Sequence, residues 1–333
     1  MRHEAAAYGI SRVSNASSPG NLTAEGRMGG RGASTTEEVH DMKASDLPLT
    51  RSLRIGSLQV HALEAGVQWL DGGAMFGVVP RPLWEKKIPP DDRHRIPLAL
   101  RCLLVEAPGA LVLVDSGIGN KEGEKFREIY GVDNDGTPTR LEDAVRSVGF
   151  HPADIDLVVS THLHFDHAGG NTRIDDQGNL VPAFPNARYV IQQGELTFAH
   201  SPNERVRASY MSKNFLPLVE AGLVDAVEGP VEVTKGVGLL PTPGHTPFHQ
   251  SVVLDGGGAK AVFLADLCPT EAHLPLPWIM GYDLEPLVTL ETKRALWERV
   301  REEDWTMIFQ HDVRVPWGKM GVEDGRVILN PIE

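Results

Sequence analysis

A chain of 333 residues, 41% apolar and with a formal charge of −13, has the make-up of a globular protein of one large domain or two ordinary ones. The acidic balance argues against nucleic-acid and anionic-membrane partners, which require a basic face. The two cysteines, Cys102 and Cys268, are far apart, which excludes a disulfide framework and fits a reducing compartment. The start "MRHEAAAYGISRVSNASSPG" lacks the apolar core of a secretory leader, and no stretch approaches the roughly 18 apolar residues of a membrane span. A cytoplasmic protein is expected.

Residues 1–50 are rich in Gly, Ser, Thr and Ala and nearly lack aromatics. Such a segment buries too little apolar surface to offset its ordering entropy, so a flexible tail is expected, followed by one domain over 51–333. From Leu53 the pattern changes. "LRIGSLQVHAL" alternates like a strand, and "LALRCLLVEA" and "ALVLVDSG" are apolar strands joined by a Pro-Gly turn. "GEKFREIYG" and "TRLEDAVRSVGF" read as helices that end near glycines. "DIDLVVSTH" and "ARYVIQQ" are strands, and "NFLPLVEAGL" is a short helix. Strands follow in "GVGLLPTPGHT", "HQSVVLD" and "KAVFLADL", then a long helix around "EPLVTLETKRALWERVRE" and the strand "WTMIFQHD". The long helix is expected to turn Leu290, Leu296 and Val300 inward and a mixed-charge face to water. Strands in both halves with intervening helices predict a layered α/β protein with two sheets covered by helices.

Ligand-type residues follow apolar strands at four places. His162, His164, Asp166 and His167 follow "DLVVS", His245 follows "GVGLLPTPG", Asp266 ends "AVFLA", and His311 follows "WTMIFQ". Loops at strand ends are where such folds build sites on a rigid scaffold. His162 and His164 are two apart, so on an extended segment they face the same way. Asp166 and His167 come where the chain turns into a helix, which lets the two pairs serve neighbouring ions. A single catalytic zinc needs about three protein ligands. Five histidines and two carboxylates therefore suit two divalent ions. Imidazole and carboxylate favour zinc, with iron, manganese or cobalt as alternatives.

"THLHFDHAGG" resembles the HxHxDH signature of the metallo-β-lactamase superfamily, and "VDSG", "PTPGHT", "LADL" and "FQHD" fall around it in that family's order. The resemblance implies an αββα sandwich, two central mixed sheets flanked by helices, with metals at one edge. It implies first-metal roles for His162, His164 and His245 and second-metal roles for Asp166, His167 and His311. It also implies a bridging role for Asp266 and a supporting one for Asp115, which would steady a ligand histidine. Within the superfamily, "DGGAMFGVVPRPLWEKK", "HLPLPWIMGYDLEPL" and "HFDHAGGN" look most like the acylhomoserine lactonases and organophosphate hydrolases. In many of those lactonases a tyrosine lies three residues after the bridging aspartate. Here that position is Pro269, so that tyrosine's role does not carry over.

The chemistry this implies is hydrolysis by a hydroxide bridging two metals, with Asp166 or Asp266 orienting it and passing on its proton. The expected substrate is a small molecule, an N-acylhomoserine lactone, whose ring would be opened, an activity known as quorum quenching. The alternatives are an organophosphate triester or aryl-ester hydrolase with the same site, and a non-catalytic metal-binding sensor. Phe76, Trp84 and Trp278 are expected to wall an acyl-chain pocket, and His273 to line it. His249 is expected at the surface or behind a ligand, and Cys268 as a buried, inert thiol. His61, His94, His151 and His200 are expected to be structural. A homodimer is expected, with "MFGVVPRPLW" as a contact.

Overall fold

The computed structural model describes residues 41–332. Its first half contains β1 (Thr50–Ile55), β2 (Leu58–Asp71), β3 (Arg95–Ala107), β4 (Ala110–Val114), β5 (Leu157–Val159), a separate hairpin of β6 (Thr172–Ile174) and β7 (Leu180–Pro182), then β8 (Arg188–Gln192) and β9 (Val224–Val227). The second half contains β10 (Val231–Thr234), β11 (Val237–Pro241), β12 (Gln250–Asp255), β13 (Lys260–Phe263), β14 (Thr306–Ile308), β15 (Trp317–Glu323) and β16 (Arg326–Pro331). One sheet has the order β1-β2-β3-β4-β5-β8-β9, and the other runs β10 through β16 in sequence.

The two sheets lie face to face. Val60, Leu103, Val112, Val114 and Val159 of the first pack with Leu239, Val252, Phe263, Ile308 and Trp317 of the second. On the outer face of the first sheet, Leu104, Leu113 and Val158 meet Leu141, Ala144 and Val145 of the helix Arg140–Ser147. On the outer face of the second, Val262, Met307 and Phe309 meet Leu296, Trp297 and Val300 of the helix Pro286–Glu302. Strands covered on both faces read as continuous apolar runs, which is why "VLV" and "DLVV" are so unbroken. The result is a helix–sheet–sheet–helix sandwich, as expected.

Strand direction decides where the ligand loops go. β4, β5, β8 and β9 are parallel neighbours, and β13 and β14 are a parallel pair. Parallel strands deliver their C-terminal loops to one edge. Asp115 follows β4, Thr161 to His167 follow β5, Asp266 follows β13 and His311 follows β14, so all arrive together.

Several features depart from the sequence reading. The chain after His311 forms the β15–β16 hairpin, which no alternation announced. β2 runs on to Asp71, past a bulge between Glu64 and Val67. Gly66 at the bulge has φ +145, and a Cβ there would lie 2.6 Å from Cβ of Asn134, so glycine is required. Lys293 is fully buried, not part of a solvated helix face, because its ammonium donates to the carbonyls of His273, Pro275 and Trp278. The segment expected as a tail lies outside the described residues up to residue 40. Its last part packs on the domain: Ala44 and Leu47 are buried, and Arg140 donates to both of their carbonyls. No helix of the described residues is long and apolar enough to cross a membrane.

Candidate metal centre

The loop after β5 leaves the sheet extended, so His162 and His164 point to one side. At Phe165 it turns into a single helical turn, Phe165–Ala168, which carries Asp166 and His167. Glycines at 169 and 170 let this turn sit against the loop after β4. A Cβ on Gly170 would fall 2.0 Å from the carbonyl oxygen of Ser116. The spacing within "HLHFDH" thus translates into two diverging pairs.

The seven expected ligand residues meet in two adjoining buried groups: His162, His164, His245 and Asp266, and then Asp166, His167 and His311. Asp266 stands between them. Its Oδ2 lies 3.0 Å from Nε2 of His245 and 3.9 Å from Nε2 of His162. Its Oδ1 lies 3.0 Å from Nε2 of His311 and 3.4 Å from Nε2 of His167. One carboxylate therefore addresses both groups with different oxygens. Nδ1 of His164 is 3.1 Å from Nε2 of His245, and Oδ1 of Asp166 is 3.8 Å from Nε2 of His167.

Surrounding acceptors set the tautomers. Nδ1 of His167 donates to Asp115 (3.0 Å), Nδ1 of His245 to Asp283 (2.9 Å), and Nδ1 of His311 to the Ala99 carbonyl (2.7 Å). A carboxylate or carbonyl only accepts, so each ring carries a proton on Nδ1 and turns Nε2 inward. Asp115 also accepts from the amide and hydroxyl of Thr161, which fastens the loop ahead of His162. Glu195, fully buried, ties the two histidine loops together. It accepts from the amide of Leu163, the hydroxyl of Thr246 and the phenol of Tyr210. Gln68 of β2 donates to Oδ2 of Asp166 at 2.5 Å.

The site's polarity matches cation binding. Nε2 of His162, His164 and His167 and Oδ1 of Asp266 are buried without a hydrogen-bond partner. Leaving four such atoms unpaired is costly unless something binds them. Burial, reinforced by neighbouring imidazoles, holds His162 and His164 well below the usual histidine range, so both offer lone pairs. Burial opposes charge on His167 and His245 too, but Asp266 with Asp166 or Asp283 outweighs it. His167 is raised well above its ordinary value, and His245 to about 10. Burial likewise works against an ionised Asp266, yet His167, His245 and His311 keep its carboxyl well below the usual range. Protons gather around a central carboxylate where cations would take their place. The donor set fits divalent ions.

A cleft of about 410 Å³ opens over the cluster. Its floor includes His164, His245, Asp166, Asp266 and His311. Leu70, Met75, Leu98, Val206 and Met280 give it apolar walls, and Tyr130, Arg205 and Tyr282 give it polar ones. The expected aromatic wall is elsewhere. Behind Met75 and Met280, Trp84 and His273 stack on Phe76 at 5.3 Å and 4.5 Å, and Trp278 meets it edge-on at 5.7 Å. Phe76 and Trp84 are buried because Gly72–Phe76 and Arg81–Trp84 form short helices that turn them inward, while Val78 and Leu83 between them are exposed. His273 donates to the Met75 carbonyl and is neutral. His249 is buried behind the ligands, where its Nε2 accepts from the Asp266 amide. Cys268 is a buried thiol pushed up to about 12 by burial. Sequence reasoning missed Gln68, Glu195 and Asp283. None belongs to a local pattern, and only the unusual polarity of Gln68 within an apolar strand was visible.

A helix–sheet–sheet–helix sandwich with a histidine–aspartate cluster at the shared strand edge defines the metallo-beta-lactamase superfamily. Residues 96–311, from β3 to the last histidine of the cluster, match that family, and the chain belongs to it. An N-acyl homoserine lactonase from a Bacillus species is 32% identical over 226 residues, which cover 65% of this chain and 82% of the lactonase. A probable metal-dependent hydrolase from Staphylococcus aureus has a crystal structure similar to this one at 32% identity and a TM-score of 0.76, covering 84% of this chain and 99% of that one. A solved N-acyl homoserine lactone hydrolase, with the product N-hexanoyl-L-homoserine bound at its catalytic metal center, is 25% identical at a TM-score of 0.58. It covers 78% of this chain and 94% of that one.

Proposed function

We propose that this chain is a cytoplasmic metal-dependent hydrolase that opens the ring of N-acylhomoserine lactones, with zinc as its metal. The observation that carries the reading is the position of Asp266, one oxygen toward each of two buried donor groups at the floor of an open, mixed-polarity cleft. His162, His164 and His245 would hold one ion, Asp166, His167 and His311 the other, and Asp266 both. Ions held there would polarise the lactone carbonyl and supply a water nucleophile at neutral pH. Imidazole and carboxylate donors favour zinc, and two buried free thiols suit a reducing compartment.

The chain's own residues do the rest. Asp166, a carboxylate on the cleft floor, orients the attacking water and accepts its proton, and Asp266 fixes where that water lies. Water adds to the ring carbonyl, the ring C–O bond breaks, and the proton passes to the departing ring oxygen, which becomes the product hydroxyl. Leu70, Met75, Leu98 and Met280 give an acyl chain an apolar surface, and Tyr130, Arg205 and Tyr282 offer donors to its amide carbonyl.

The test is metal content and ring opening on one sample. Two ions per chain with acid release from N-acylhomoserine lactones support the reading. His167→Ala and Asp266→Ala are expected to lower kcat by on the order of 100-fold or more. Unchanged turnover in both variants sinks the mechanism. Nitrophenol release from a phosphotriester faster than lactone opening replaces the substrate assignment.

A further inference from the structure

Gln68 is a fully buried amide in the middle of an apolar strand. Beyond the bulge at Gly66, β2 places Gln68 and Leu70, two residues apart, on one face. Leu70 lines the cleft, and Gln68 lies one step deeper, against the donor group of Asp166, His167 and His311. Its Nε2 donates to Oδ2 of Asp166 at 2.5 Å. The orientation of this amide is dictated by its partner. A carboxylate only accepts, so the amide must present its NH₂, and its carbonyl oxygen Oε1 is left buried without a partner. A buried acceptor left unpaired lowers stability. Hydrogen bonding of Asp166 is the only polar contact this amide makes among the described residues.

We propose that Gln68 is a positioning residue for the second metal, turning Asp166 so that Oδ1, not both oxygens, is offered to the ion. This rests on the two-metal reading above. Both oxygens already face this donor group, Oδ1 lying 3.8 Å from Nε2 of His167 and Oδ2 3.8 Å from Nε2 of His311, so an aspartate with both oxygens free could chelate one ion with both. With Oδ2 held by the Gln68 amide, Oδ1, beside His167, is the oxygen left free for the ion. Partners behind a ligand commonly set metal affinity by 10–100-fold.

The experiment compares the wild-type chain with Gln68→Leu and Gln68→Met, two apolar side chains of similar size. Zinc binding is followed by chelator competition, the cobalt-loaded proteins by their visible spectra, and the apo-proteins by thermal unfolding. The expected result is a second-ion Kd raised about 10–100-fold, a first-ion Kd changed less than about twofold, and an altered second-site cobalt band. Turnover is expected to fall at limiting zinc and recover at saturating zinc. Apo-protein unfolding temperatures are expected to change little, because losing the orphaned Oε1 offsets leaving the Asp166 oxygen without its donor. A merely structural Gln68 would lower apo stability and leave the ratio of the two affinities alone. Both ions bound as in the wild type, in whichever variant folds, overturns the proposal while the two-metal reading stands. A wild-type chain that binds only one ion overturns both.

Discussion

Asp283 lies 2.9 Å from Nδ1 of His245, and the two residues come from loops 38 positions apart. The amides of Leu284 and Glu285 donate to the carbonyls of His245 and Gly244, so the two loops are joined by backbone as well as by side chain. Asp283 thus does for His245 what Asp115 does for His167, and each donor group has one histidine backed by a buried carboxylate.

Replacing Asp283 by alanine is therefore expected to weaken the ion held by His162, His164 and His245 by about 10–100-fold. The group around His311 should be little affected. Stepwise zinc release by a competing chelator reads the two steps separately. An unchanged first step would show that Asp283 is not needed to orient the ring.

Glu195 holds the amide of Leu163 and the hydroxyls of Thr246 and Tyr210. Glu195→Ala leaves these buried donors unpaired, and a loss of about 3 kcal/mol in apo-protein stability is expected. Glu195→Gln, which keeps an acceptor, should recover part of it. Urea unfolding of both variants measures the difference.

Burial holds His273 at about 3, with its Nε2 proton donated to the Met75 carbonyl and the Lys293 ammonium nearby. In the unfolded chain the same ring titrates near 6.5. Between those values the unfolded state binds a proton that the folded state refuses. The stability contributed by neutral His273 is complete above about pH 6.5 and is lost as pH falls toward 3, by a few kcal/mol in all. His273→Asn is expected to flatten this part of the apo-protein's stability–pH curve. A slope identical to wild type would refute the assignment.

Trimming the chain at residue 50 removes Ala44 and Leu47, which cover Val67, Trp69, Ala99 and Val313, and two acceptors of Arg140. A chain starting at residue 51 is expected to be at least about 2 kcal/mol less stable than one starting at residue 41, from the lost apolar burial. Val313 is two residues past His311, so the shorter chain should also bind metal more weakly. Thermal unfolding and zinc titration of the two chains check both statements.

Some of the site was legible because its pattern is local. His162, His164, Asp166 and His167 lie within six positions at the end of an apolar strand, and β-strand and single-turn geometry separate them into two pairs. His245, Asp266 and His311 repeat the same arrangement of strand followed by ligand. The layered sandwich was legible for a related reason, since strands buried on both faces must be apolar throughout.

What the sequence by itself determined is therefore the histidine–aspartate cluster and the layers that carry it, because both rest on patterns spanning a few residues. Tertiary structure alone decided which groups stand behind the ligands and which side chains reach the cleft. Gln68 meets Asp166 across 98 positions, and Asp283 meets His245 across 38. Phe76 and Trp84 read as pocket walls until two short helices turned them into a core, leaving the cleft to Met75, Met280, Tyr130 and Tyr282. Partners so far apart along the chain are brought together by the packing of two sheets and their loops. No periodicity records that packing, because each side chain's facing depends on all the elements around it.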